Sequence, residues 1–225
     1  MSFLSYLING ISLGSVYAII ALGYTMVYGI ARMLNFAHGD IIMVGGFVIF
    51  TMVSTLGLPP MVGVLVAVIA CTVLGVVIER VAYKPLRGAS SLAVLITAIG
   101  VSYFLQNAAQ LLWGATPKNF TSLVTFPVPE FLAKYNVSAI SLVTIVACLI
   151  IMAGLVFFTG KTKMGKAMRA VSEDKAAAQL MGINVNRTIS MTFAIGSALA
   201  AIAGVLLCSY SPVLQPTTGA MPGIK

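Results

Sequence analysis

Five long stretches of this chain contain no charged residue: Met1 to Ala31, Ile41 to Ile78, Gly88 to Pro117, Tyr135 to Gly160 and Thr188 to Ile224. About 20 apolar residues cross the ~30 Å hydrocarbon core of a bilayer as a helix, so each run is long enough, or nearly so, to hold a membrane span. The run from Ile41 to Ile78 would measure about 57 Å as one helix, nearly twice the core thickness, and must turn. Gly57-Leu58-Pro59-Pro60 supplies the break. The pattern predicts six spans, near Phe3 to Tyr28, Met33 to Leu56, Met61 to Ala82, Leu92 to Trp113, Ala139 to Phe158 and Thr188 to Ser209. With 60% hydrophobic and 8% charged residues, against about 25% charged in a soluble domain, the fold class is an all-α, polytopic transmembrane helix bundle. Residues 1–225 form one domain. The first apolar stretch has no positive residue before it and exceeds a signal peptide's ~7 to 15 apolar residues, so it reads as a retained helix.

Lysine and arginine fall unequally on alternate loops. One set holds Arg32, Arg80, Lys84, Arg87, Lys161, Lys163, Lys166, Arg169, Lys175 and Arg187; the other holds Lys118, Lys134 and Lys225. The richer set marks the cytoplasmic side and leaves the N-terminus outside. The net charge of +8 is thus topological, and no soluble basic face offers itself to nucleic acid. Small residues recur every fourth position at Gly10, Gly14 and Ala18, at Gly63, Ala67, Cys71 and Gly75, and at Gly196, Ala200 and Gly204. Such stripes let helices approach closely in lipid. Cys71, Cys148 and Cys208 lie singly in apolar runs and read as small buried hydrophobes rather than metal ligands. The outward loop from Gly114 to Ser138 is stiffened by Pro117, Pro127 and Pro129 and flanked by Trp113 and Tyr135, which read as interface anchors.

The segment 161–187 is the most informative. Met164, Ala167, Met168 and Val171 share one face of a short helix. Ser172 then caps a second helix whose first turn carries Glu173 and Asp174, and Gly182 ends it. Ala176, Ala177, Ala178, Leu180 and Met181 make a low apolar surface that suits either a partner's groove or the membrane surface. Gly160 to Ala167 imitates a phosphate-binding loop, but Ala167 replaces the hydroxyl that would hold magnesium and the segment follows a membrane helix, so no nucleotide site is expected. Asn35-Phe36-Ala37-His38-Gly39-Asp40 brings the single histidine and a carboxylate to the mouth of the second span. Asn35, His38 and Asp40 read either as an interfacial helix cap or as a gating or subunit contact. No second histidine, paired intramembrane carboxylate or thiol cluster completes a catalytic or metal site, so no cofactor is expected on the chain. An ion-coupled carrier is the main rival to an ATP-driven one, and ionisable residues are missing from the five runs where it would keep them.

Asn35-Phe36-Ala37-His38-Gly39, Glu79-Arg80-Val81-Ala82-Tyr83-Lys84-Pro85-Leu86-Arg87, and Met164-Gly165-Lys166-Ala167-Met168-Arg169-Ala170 followed by Ala176 to Asn184 resemble the high-affinity branched-chain amino acid permeases of the LivH type. That resemblance implies an importer of two permease subunits, two cytoplasmic ATPases and a periplasmic binding protein, working by alternating access in the inner membrane. ATP and magnesium then belong to the ATPases. The resemblance also makes 161–187 the coupling segment, with Glu173, Asp174, Ala176, Ala177, Ala178, Leu180, Met181 and Gly182 as ATPase contacts. Relatives of this type have further spans, so the chain is expected to be short at its C-terminus. Other amino acids, amides or urea are the rival substrates.

Overall fold

The computed structural model describes residues 3–119, 138–211 and 213–219. Pro127, Pro129, Lys134 and Tyr135 of the outward loop, and the terminal Pro222 to Lys225, lie outside the described residues.

Six helices are long and apolar enough to cross a membrane. They are α1 (Phe3–Ala31), α2 (Ala37–Phe50, extended by a π-helical turn Thr51–Thr55), α3 (Pro60–Ile78, extended by a π-helical turn Glu79–Tyr83 and a 3-10 turn Lys84–Leu86), α4 (Ser91–Trp113), α5 (Ala139–Lys161) and α8 (Val185–Tyr210). Two short helices, α6 (Lys163–Glu173) and α7 (Lys175–Leu180), fill the connection between α5 and α8. A two-residue antiparallel ladder pairs β1 (Lys118–Asn119) with β2 (Val213–Leu214). The break before α3 is built as the sequence demands: Gly57 takes a positive φ of 66°, and Pro60 opens the helix where its missing N–H costs nothing. Ser90 caps α4, and Asn184 caps α8 by accepting from Arg187 N at 3.0 Å.

The last span is the hub. In its most apolar window 72% of α8 is buried, against 22% for α4 and for α5, and it packs on α1, α2 and α3 together. Backbones approach where side chains are smallest. A Cβ on Gly75 would lie 1.8 Å from Ser197 Oγ, one on Gly204 2.3 Å from the Ile42 carbonyl oxygen, and one on Gly196 2.7 Å from Val27 Cγ2. Gly63 meets Val53 and Ile49 within α2 and its extension. Gly10 and Gly14 correct the expectation for the first stripe. They are exposed, with nothing within 4 Å of a built Cβ, because α1 turns Ser12, Val16, Ile19, Gly23 and Val27 toward the bundle instead.

The second span also starts later than Met33. After α1 ends, residues 32–36 are irregular, and the chain doubles back before α2 begins at Ala37. His38 lies against Gly23 and edge-on to Tyr24, with ring centroids 6.1 Å apart. Those residues stand about two helical turns inside the end of α1, so α2 begins ~12 Å within the bundle. Such backbone is tolerated at membrane depth only where protein encloses it. From the opposite end, residues 213–219 run back along α2: Leu214 touches Gly46, and Gly219 meets the Gly39 carbonyl.

Candidate functional site

Two groups of residues carry what this fold can do. The first is the short-helix segment outside the bundle. Thr162 caps α6 by accepting from Gly165 N at 3.0 Å, and Gly165 is buried against the Phe158–Thr159 backbone. Met168 and Val171 are buried and Met164 half-buried, which seats α6 on the bundle. The cap of the following helix is Asp174, not Ser172. Asp174 Oδ1 accepts from Ala176 N at 2.7 Å and Ala177 N at 3.0 Å, while α6 continues through Glu173 and the Ser172 hydroxyl turns back to Arg169 O. A carboxylate outcompetes a hydroxyl at this position because it also favours the positive end of the helix. Gly182, at φ 81°, closes α7 with the Gly182 N to Gln179 O and Ile183 N to Ala178 O bonds. Ala178 turns inward and is 3% exposed, whereas Glu173, Asp174, Ala176, Ala177, Gly182, Leu180 (89%) and Met181 (82%) are exposed.

This segment is tied to the end of α1 at the α6–α7 junction. Arg32, at φ 55° just past α1, donates from Nη2 to Ser172 O at 2.7 Å. Lys175 Nζ donates to Ala31 O at 2.9 Å. Burial, then the nearby Arg32 and Arg87 guanidiniums, push the Lys175 ammonium below its ordinary pKa. At the start of α8, Arg87 pairs with Glu79 and donates to Asn186 Oδ1, and Ser190 Oγ donates to Glu79 Oε2 at 2.7 Å, which joins the end of α3 to α8. The Glu79 side chain is wholly buried. One set of contacts thus joins the α6–α7 junction to the end of α1, and another joins the end of α3 to the start of α8.

The second group lies where α2 begins. Asn35, His38 and Asp40 are 2%, 1% and 1% exposed, so they belong to the interior of the chain and not to a surface contact or an interfacial cap. Tyr83 OH donates to Asn35 Oδ1 at 2.9 Å, and Gln106 Nε2 donates to Asp40 Oδ1 at 2.9 Å and to Ser102 Oγ at 3.2 Å. His38 Nε2 and Asp40 Oδ2 have no partner among the described residues. Polar atoms left unpaired at this depth are costly.

Sequence reasoning picked out Asn35, His38, Asp40 and the 173–182 surface but not Glu79, Tyr83, Arg87, Gln106 or Ser190 as a connected set. Glu79, Tyr83 and Arg87 stood in one of the motifs that carry the family resemblance, and Glu79 and Arg87 also border apolar runs; Gln106 and Ser190 had no signal. Among the described residues no group of histidine, cysteine and carboxylate side chains could hold a metal ion.

Comparison with known proteins agrees over nearly the whole chain. The family described as the permease component of the branched-chain amino acid transport system matches residues 6–225. The high-affinity branched-chain amino acid permease BraD of Pseudomonas aeruginosa is 41% identical over 99% of this chain and 76% of its own length. The corresponding LivH protein of Escherichia coli K12 is 40% identical over the same shares. The ribose import permease RbsC of Haemophilus influenzae is 28% identical over 91% of this chain and 61% of its own. No solved structure matches. Six membrane-crossing helices, a tethered segment between the fifth and sixth, and a family match over residues 6–225 converge: the chain belongs to the permease family of the branched-chain amino acid transport systems.

Proposed function

We propose that this chain is the membrane-spanning subunit of an ATP-driven importer that admits leucine, isoleucine and valine across the inner membrane, with its N-terminus outside. The observation that carries the reading is the α6–α7 segment. It exposes Leu180 and Met181 at the end of a six-residue helix, while Arg32 and Lys175 tie its α6–α7 junction to the end of α1. An exposed apolar helix end suits the groove of a partner. One tied by two hydrogen bonds to the end of α1 carries the partner's movement to that helix. In the proposed assembly a cytoplasmic ATPase seats on Ala176, Ala177, Leu180, Met181 and Gly182. Two such ATPases, holding ATP and magnesium, drive this chain and a second permease subunit between outward- and inward-open states. A periplasmic binding protein delivers the amino acid and sets most of the selectivity. This chain itself breaks no bond.

The test is co-expression with the cognate ATPases and binding protein, with Ala177→Arg and Leu180→Asp as variants. Wild type is expected to co-purify with the ATPases and to support leucine uptake that stops when ATP is depleted. Both variants should insert normally and lose ATPase capture. Uptake that survives loss of the ATPases but collapses with the proton or sodium gradient would replace this reading with an ion-coupled carrier.

A further inference from the structure

A cavity of about 220 Å³ lies between the end of α1, the turn joining α3 to α4 and the start of α7, with Tyr28, Arg32, Leu86, Arg87, Ser91 and Lys175 in its wall. We infer that it is a binding site for a phosphate-class anion, supplied by the headgroup of an anionic phospholipid. Three cations line the cavity and no carboxylate does. Among the described residues Glu79 is the acid that pairs with one of them, Arg87; it is buried and also accepts from Ser190. Donors remain unused. Arg87 Nε is buried with no partner among the described residues. Lys175 spends one N–H on Ala31 O and Arg32 one on Ser172 O, leaving two ammonium and several guanidinium hydrogens for a ligand. Ser91, the first residue of the 23-residue helix α4, is also in the wall, so the positive end of that helix faces the same space. Burial, then the neighbouring Arg32 and Arg87, lower the proton affinity of Lys175, in keeping with cations gathered in one wall.

The surroundings select the source. The cavity opens where α1 and α4 end, beside Tyr28, which is 51% exposed at its rim. The flanks of α4 present Leu92, Ile96 and Ile99 outward, where acyl chains would lie. Basic pockets between helices at this level of a membrane suit acidic lipid headgroups, and aromatic side chains sit at the same level. A headgroup bound here would bridge Arg32, Lys175 and α4, joining the α6–α7 segment to a span it does not otherwise touch through these cations.

The experiment uses the full chain in detergent and counts retained lipid by native mass spectrometry, with phosphatidylglycerol, phosphatidylcholine or inorganic phosphate alone as probes. Phosphatidylglycerol is expected to be retained at least tenfold better than phosphatidylcholine, whose choline cation opposes the site; tenfold corresponds to about 1.4 kcal/mol. Ser91→Asp places a carboxylate among the cations without removing any of them, at a position that favours acids, and should reduce retention about tenfold. Arg32→Gln with Lys175→Gln should do the same. Lys163→Gln with Lys166→Gln, exposed cations outside the cavity, should leave it unchanged. If lipids are not discriminated but millimolar inorganic phosphate protects Lys175 from acetylation in wild type and not in Ser91→Asp, the anion site stands and its ligand is free phosphate. Phosphatidylglycerol retention that falls equally in the Lys163/Lys166 control, or that ignores Ser91→Asp while phosphate gives no protection, would overturn the inference.

Discussion

Replacing Glu79 with glutamine tests whether the end of α3 is held to the start of α8 by charge. The Glu79 side chain is 0% exposed and its partner Arg87 16%, and Ser190 Oγ donates to the second carboxylate oxygen at 2.7 Å. Glutamine keeps the shape but leaves Arg87 without its counter-charge. Breaking a buried ion pair from one side costs ~3 to 5 kcal/mol, and the partial hydration of Arg87 places this case near the lower end, at about 3 kcal/mol. For a chain of this size that corresponds to a fall in Tm of roughly 6 to 12 °C. Thermal unfolding of the detergent-solubilised protein should be measured for Glu79→Gln, Arg87→Gln and the double variant. The double variant should be less destabilised than the two singles combined, with a coupling energy of about 2 kcal/mol, because removing both charges strands neither. A Glu79→Gln shift below about 2 °C, or strict additivity in the cycle, would refute the argument that this pair acts as a unit.

Gly204→Ala drives a methyl into the Ile42 carbonyl and should cost about 3 kcal/mol, whereas Gly10→Ala on the open face of α1 should be neutral or stabilise by up to ~1 kcal/mol; the same melts read both. Thr51→Val removes the acceptor for Trp113 Nε1 at 2.8 Å and should cost about 1 kcal/mol. Because the chain has one tryptophan, stacked on Phe47, its fluorescence spectrum should shift with the same substitution. Lys175 binds its proton more weakly in the fold than the ordinary 10.5. Its charged form therefore costs stability below the folded pKa, and that cost is relieved as pH rises through the folded pKa toward 10.5. Melts taken along this alkaline range should show a rise that Lys175→Met flattens.

The spans were legible because absence of charge is a one-dimensional signal: six helices lie where the apolar runs stand, and Gly57 with Pro59 and Pro60 breaks the long run where expected. The start of α2 was not legible. Residues 32–36 fold back because Asn35 meets Tyr83, 48 positions away, and His38 meets Gly23, contacts that no local period encodes. The stripe at Gly10 and Gly14 had the same spacing as those at Gly75 and Gly196, yet only the latter face α8 and α1 respectively. Spacing specifies a face and leaves open what covers it. The exposed 173–182 surface could be read from local capping and periodicity. The Glu79–Ser190 contact that joins the end of α3 to α8 spans 111 positions and became visible only in three dimensions.

Arg32 and Lys175 grip main-chain oxygens, Ser172 O and Ala31 O, rather than side chains. A clasp closed on carbonyls is indifferent to what the gripped residue carries. The exposed side chains of Ala176, Ala177, Leu180 and Met181 are thus free to diverge, or to be exchanged for those of a relative, while buried Ala178 and the Gly182 turn keep the seat the same. The attachment behaves like a socket with a replaceable plug, in which identity is written on the exposed side and mechanical continuity on the backbone.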